Sequence, residues 1–335
     1  MQRLYFRHLS RNIIHSGKNF YVTSFFNNLM SAFGQEYSDI KFINKNYPEY
    51  EKHGYGGVYS CMSMSLMNPD NGKYAVFSFF DNWKYHFMTH MGWEPQKMTQ
   101  FFYAGGFNFL DYYHFKRQNQ NNSDTKFPID MDAVYQGLPY SSYYDCCTEM
   151  IDILYKNRDI NKTIPKLFFR GYMWDFRKEM TTQFDQRCRD IIILDKNQEN
   201  QNIEYQEYLK EVSTYKCALS LPGGTEICNR DIECFALGVP VIRPIIVTNY
   251  PDPLIPNYHY ISCYHNCDYM DNGNPKYLNS KDMQENTIYI WDRVKNNHEY
   301  LSFITKNARA WYERNSGMNN NISRCINLTN LELLK

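Results

Sequence analysis

The stretch 211–243, EVSTYKCALSLPGGTEICNRDIECFALGVPVIR, constrains the fold more than any other part of the chain. An apolar run, Cys217–Leu221, stops at Pro222-Gly223-Gly224. A helical segment follows, then Gly238 and a second apolar run, Val239–Ile242. Strand, glycine turn, helix and strand in that order build a parallel sheet, with a ligand crevice at the strand ends. Within the helix, Glu226, Arg230 and Glu233 recur at i, i+4, i+7 and share one face near its N-terminal half. Ile232, Phe235 and Ala236 lie on the opposite side and are expected to face the sheet. A cation and two carboxylates beside a helix N-terminus suit a ligand that carries both phosphate and hydroxyl groups. The same spacing also describes a ladder of Glu–Arg pairs on a solvated helix face.

The flanking sequence extends this pattern. Lys166–Arg170, Asp190–Leu194 and Tyr258–Ser262 read as further strands, with helical pieces between most of them, the alternation of an α/β domain. Asp190–Leu194 is short and continuously apolar, as a strand buried on both faces should be. Asn286–Asn296 and His298–Glu313 read as helices, the second ending at Asn315-Ser316-Gly317. In the first half, Phe20–Phe25, Val58–Met67 and Tyr74–Phe80 read as strands, and Phe26–Phe33 and Cys146–Tyr155 carry helix-like spacing. Asn68–Gly72 is a turn signal, and Arg117–Lys126 an exposed loop. The polar stretch Asn157–Thr163 before Pro165 places a boundary, giving expected domains at 1–160 and 161–297 and a C-terminal helix and tail over 298–335.

Composition removes several classes of function. The 335 residues allow two domains, each with its own core. Lysines and arginines equal aspartates and glutamates at 36 each, so no broad basic field exists to hold nucleic acid or an anionic membrane. The ten cysteines form no C-x-x-C pair and no zinc spacing. No apolar stretch resembles a signal peptide or reaches the length of a membrane span, so reduced thiols in a cytoplasmic protein without a membrane anchor are expected. Thirty tyrosines and 22 phenylalanines against five tryptophans accompany abundant Asn, Lys and Ile, the bias of an AT-rich genome such as that of a protist or a large DNA virus. P-loop and dinucleotide glycine motifs are absent.

Leu219–Gly224, Asn229-Arg230, Glu233 and Gly238–Ile242 resemble the donor-sugar domain of exostosin-like glycosyltransferases, with Asn229 standing where that family carries serine. Lys166–Gly171 and His259-Tyr260-Ile261 resemble the corresponding motifs of the Rumi-like (KTEL-motif) protein O-glycosyltransferases. The resemblance covers about residues 164–315. It implies a GT-B-like α/β fold, two Rossmann-like domains facing a central cleft, with a C-terminal helix crossing back to the first. It further implies an inverting, metal-independent glycosyltransferase moving a sugar from a nucleotide sugar, a UDP-sugar, to a hydroxyl of a glycan or protein. The nucleotide sugar would be a co-substrate, with no other cofactor.

On that reading Arg230 is the first candidate for a diphosphate ligand. Gly223, Gly224 and the Thr225 N–H would approach the phosphates, and Glu233 would accept from ribose hydroxyls. Arg170, followed by Gly171, sits at a strand end that points to the crevice; Arg177 and His259 are further donor-site candidates. Asp81, at the exit of Tyr74–Phe80 and followed by Asn82-Trp83, is the candidate base, with a capping or turn role as its alternative. Asp111 and His114 are secondary candidates. Asp130-Met131-Asp132 allows a second reading, a GT-A-like metal-dependent transferase. His86 and His90 have helical spacing but no third metal ligand nearby. A third reading keeps the nucleotide-sugar fold as a non-catalytic binding protein.

Overall fold

The computed structural model describes residues 4–8, 28–35, 40–42, 63–68, 70–78, 98–103, 135–137, 147–173, 175–181, 184, 190–195, 203–222, 227–246, 252–264, 267–269, 275–277, 280–316 and 318–334. The chain divides into two units. One comprises Met1–Asp145, Thr248–Pro251 and Ser316–Lys335, the other Cys146–Val247 and Asp252–Asn315.

The first unit holds a six-stranded mixed sheet of β1 (Leu4–His8), β2 (Ile40–Phe42), β3 (Ser63–Met67), β4 (Tyr74–Ser78), β5 (Met98–Tyr103) and β6 (Tyr135–Gly137), in the order β2-β1-β3-β4-β5-β6. β4, β5 and β6 run parallel, and β3 and β4 form an antiparallel hairpin. The expected turn closes that hairpin: Gly72 N–H donates to Asn68 O, and the Asn68 side chain accepts from Asp70 N–H. Residues 28–35 form helix α1, with Leu29 and Phe33 buried. The last element of the chain, helix α8 (Met318–Leu328) with the 3₁₀ turn Leu331–Leu334, belongs to this unit. Asn68 Nδ2 donates to Leu334 O at 2.7 Å. The buried Gln100 amide donates to Leu328 O at 2.9 Å and accepts from Asn330 N–H at 2.7 Å. These side chains satisfy tail backbone groups that would otherwise be buried without partners. Phe20–Phe25, Asp81, His86, His90, Asp111, His114, Arg117–Lys126, Asp130 and Asp132 lie outside the described residues.

The second unit is an α/β domain built on a wholly parallel five-stranded sheet: β7 (Ile164–Gly171), β8 (Ile191–Asp195), β9 (Tyr215–Leu219), β10 (Val241–Pro244) and β11 (Ile261–Tyr264). The order is β11-β10-β9-β7-β8. Taken from β7, the strands are laid down as 2-1-3-4-5, the flavodoxin-like arrangement, whose order reverses between β7 and β9. A separate hairpin pairs β12 (Cys267–Tyr269) with β13 (Pro275–Tyr277). The described residues of the unit also form helices α2 (Thr148–Asn157), α3 (Asp175–Thr181), α4 (Tyr205–Thr214), α5 (Asn229–Leu237), α6 (Ser280–Val294) and α7 (His298–Asn315). Asn157–Thr163 lies within this unit, as the link from α2 into β7.

β7 is an interior strand, and its last five residues are buried, as a strand covered on both faces requires. Its register with β9 shifts between Ile164 and Leu167, where Pro165 has no N–H to contribute. Leu167, Phe169, Cys217, Leu219, Ile242 and Ile261 form one core cluster with Met180 of α3 and Met283 and Trp291 of α6. The expectation for α5 needs correction. Phe235 meets not only the sheet side but Trp311 of α7, ring edge to face at 6.0 Å, and every residue from Arg230 to Leu237 is buried. α2, α4 and α7 cover the side of α5 that a thinner domain would leave to water, so the solvated Glu–Arg ladder does not exist. α5 stops at Gly238 with φ 66°, where Val239 N–H returns to Cys234 O at 2.8 Å. A side chain there would also strike the Tyr155 ring, since an added Cβ would lie 2.6 Å from it.

Candidate functional site at the strand-order reversal

In an open parallel sheet, ligands bind beyond the carboxyl ends of the strands where the strand order reverses. Here that place lies between the end of β7 and the end of β9, and it gathers the polar side chains of three elements. Arg230, in the first turn of α5, donates from Nη2 to the carbonyl of Arg170 and stands over the Phe169 ring, with Cζ 4.2 Å from the centroid. Its Nε and Nη1 are buried and meet no hydrogen-bond partner among the described residues. Gly171 makes this approach possible: an added Cβ would lie 2.6 Å from Arg230 Nη2.

Arg177 of α3 ties the two strand exits together. It donates to Tyr172 O at 3.0 Å after β7, and to Leu221 O at 2.8 Å and Pro222 O at 2.9 Å after β9. Its Nη2 also lies 3.3 Å from Cys228 Sγ. The guanidinium stands 5.6 Å from the same Phe169 ring. No carboxylate pairs with Arg177 or Arg230 among the described residues, although the side chains are only 6% and 8% exposed. Burial, opposed by Cys228 and reinforced by the Arg230 charge, lowers the Arg177 pKa. At Arg230 burial acts in the same direction, but neighbouring acidic groups, Glu233 included, outweigh it and the pKa is raised.

The rest of the α5 N-terminus is electrically settled. Asp231 accepts from the Cys228 N–H at 2.8 Å and pairs with the Nη1 of the fully buried Arg243, from the end of β10, at 2.5 Å. Glu233 is buried close to Tyr205 and Tyr208 of α4. Burial first, and then this carboxylate, push both phenols well above the ordinary tyrosine value.

The crevice therefore brings together Gly171, Arg177, Arg230 and Glu233. Arg170 shares the strand end, but its side chain points to α4, where Nε and Nη2 grip both oxygens of Glu211 at 2.6 and 2.8 Å. Alternation along β7 explains this: Phe169 and Arg170 necessarily leave opposite faces. Gly223, Gly224, Thr225 and Glu226 lie outside the described residues, and α5 itself begins at Asn229. His259 is elsewhere. The strand expected over Tyr258–Ser262 is Ile261–Tyr264, so His259 precedes β11 and sits at the amino end of the parallel sheet. Its Nδ1 accepts from Ile255 N–H at 2.9 Å. Burial, with the Arg314 charge and against that of Asp252, lowers its pKa to about 4. Phe169, Tyr205, Tyr208 and the Asp231–Arg243 pair were not singled out from sequence. Only the placing of Arg243 directly after the run Val239–Ile242, at a strand's carboxyl end, offered a signal. Among the described residues no cluster of His, Cys, Asp or Glu is arranged to hold a metal, and no helix is long and apolar enough to cross a membrane.

No protein-family model and no curated protein sequence matches the chain. In structure it is similar to a glycosyltransferase from Rickettsia africae ESF-5, at 11% identity and a TM-score of 0.44, over 97% of this chain and 84% of that one. It is also similar to the GtfA/B complex (11% identity, TM-score 0.40) and to TarM (11%, 0.34), spanning 49% and 63% of those chains.

Proposed function

We propose that the protein is a glycosyltransferase of GT-B form that takes a sugar from a UDP-sugar and delivers it, with inversion and without a metal ion, to a hydroxyl of a glycan or protein. One observation carries this reading: two buried guanidinium groups that meet no carboxylate among the described residues, one of them with two nitrogens unbonded there, converge at the strand-order reversal of a parallel sheet. Charge buried in that way is costly unless an anion offsets it. The departing diphosphate of a nucleotide sugar is such an anion, and fixed donors aimed at it lower the barrier to its release. Arg230 would take a phosphate oxygen through Nε and Nη1, Arg177, bonded to Leu221 O and Pro222 O, would face the second phosphate, and Gly223 and Gly224 are proposed to approach the phosphates. Glu233, buried close to Tyr205 and Tyr208, would take the ribose. Asp81 is the proposed base for the acceptor hydroxyl.

The test is a thermal-shift panel of UDP-, GDP- and ADP-sugars on the full chain, followed by transfer assays with and without EDTA. A UDP-sugar should raise the melting temperature and support turnover in EDTA. A chain stabilised by no member of the panel would refute the reading, and turnover abolished by EDTA would refute its metal-independent part.

A further inference from the structure

Arg177 and Arg230 come from different helices on either side of the crevice, and like charges in a dry site should move apart. What they share is a ring. Phe169 is fully buried, and both guanidinium carbons lie within 5.6 Å of its centroid, the Arg230 carbon at 4.2 Å. An aromatic face attracts a cation most when both are desolvated. Gly171 leaves the ring edge room, since an added Cβ there would be 3.1 Å from the Phe169 para carbon.

We propose that Phe169 is a positioning residue: its face holds both guanidinium groups at the crevice, so that the site selects a two-phosphate anion over a single phosphate. This deepens the proposed function and rests on it. A monophosphate brings its charge to one arginine and leaves the other uncompensated. A nucleoside diphosphate reaches both. Replacing the ring by an aliphatic side chain keeps the site apolar and the backbone bonds of both arginines but removes the aromatic face that the two cations share.

The experiment measures UDP and UMP affinities by calorimetry for the wild-type chain, Phe169→Leu, Phe169→Met, and a chain with 3,5-difluorophenylalanine at position 169. The fluorinated ring keeps nearly the same shape but attracts cations less, which separates the face of the ring from its bulk. Urea unfolding monitors each fold. UDP affinity should fall about five- to thirty-fold in the aliphatic variants, and by an intermediate factor in the fluorinated chain. UMP affinity should change less than about two-fold. Unchanged UDP binding, equal losses for UDP and UMP, or a fluorinated chain identical to wild type would each overturn the role of Phe169 while leaving the anion site standing. A wild-type chain that binds neither UDP, GDP, ADP nor inorganic pyrophosphate would overturn the site itself.

Discussion

Arg309 and Arg230 are buried to the same degree, at 7% and 8% exposure, yet they serve different ends. Each stands over an aromatic ring, Tyr155 at 4.4 Å and Phe169 at 4.2 Å, and each donates to a backbone carbonyl, that of Ala236 and that of Arg170. The difference lies in the carboxylates. Arg309 grips Asp152 and Glu313, both at 2.7 Å, and so joins α2, α5 and α7. Arg230 grips none, and two of its nitrogens are left without partners among the described residues. A fully satisfied buried cation is a structural joint; an unsatisfied one is a place where a ligand is due.

The sharpest way to break this contrast is to remove each arginine in turn. Arg230→Ala should lower transfer by about 100-fold or more, the scale of losing one donor to a developing charge. Its urea midpoint should match or exceed that of wild type, because the deleted guanidinium is deeply buried and forms no ion pair with a carboxylate among the described residues. Arg309→Ala should do the reverse, costing about 2–3 kcal/mol of stability as two carboxylates and a helix joint lose their partner, with UDP affinity unchanged. Equal stability losses in the two variants would erase the distinction.

A smaller effect sharpens it. Gly171→Ala puts a methyl group where the Arg230 guanidinium stands, so UDP affinity should fall about ten-fold as the cation is displaced. Gly171→Ala with unaltered affinity would show that the present position of Arg230 is not the binding one. The smallest effect belongs to the other end of the sheet. His259 has a folded pKa of about 4, below its unfolded value. Its contribution is therefore present above the unfolded pKa and lost as pH falls toward 4, because the unfolded chain takes up the proton first. Between pH 7 and 5 the wild type should lose roughly 2 kcal/mol relative to His259→Asn, with UDP affinity the same in both at pH 7. A change in affinity would instead put His259 at the donor.

How much of this was legible before the fold is uneven, for identifiable reasons. Periodicity and glycine placement located β7 to β11, α5 and its stop at Gly238, because backbone conformation and apolar spacing are local properties. Arg230 stood out because a cation one turn inside a helix after a glycine turn is a local pattern too. The same reading could not tell Arg170 from Arg230. Both are arginines at a crevice, and only the facing of β7 against α4 gives one a carboxylate, while the other meets none among the described residues. His259 was misplaced by a strand that starts later than its apolar run, since Tyr260 and Ile261 read alike from sequence whichever one begins the ladder.

What the sequence determined by itself was the alternation of strands and helices and the existence of a turn able to meet phosphate. The strand order was a tertiary decision, because pairing β7 between β8 and β9 depends on contacts far apart in the chain. So was the burial of α5 on all sides, which follows from α2 and α7 closing over it. Those long-range choices decide which charges find partners and which do not, and no window of neighbouring residues contains that information.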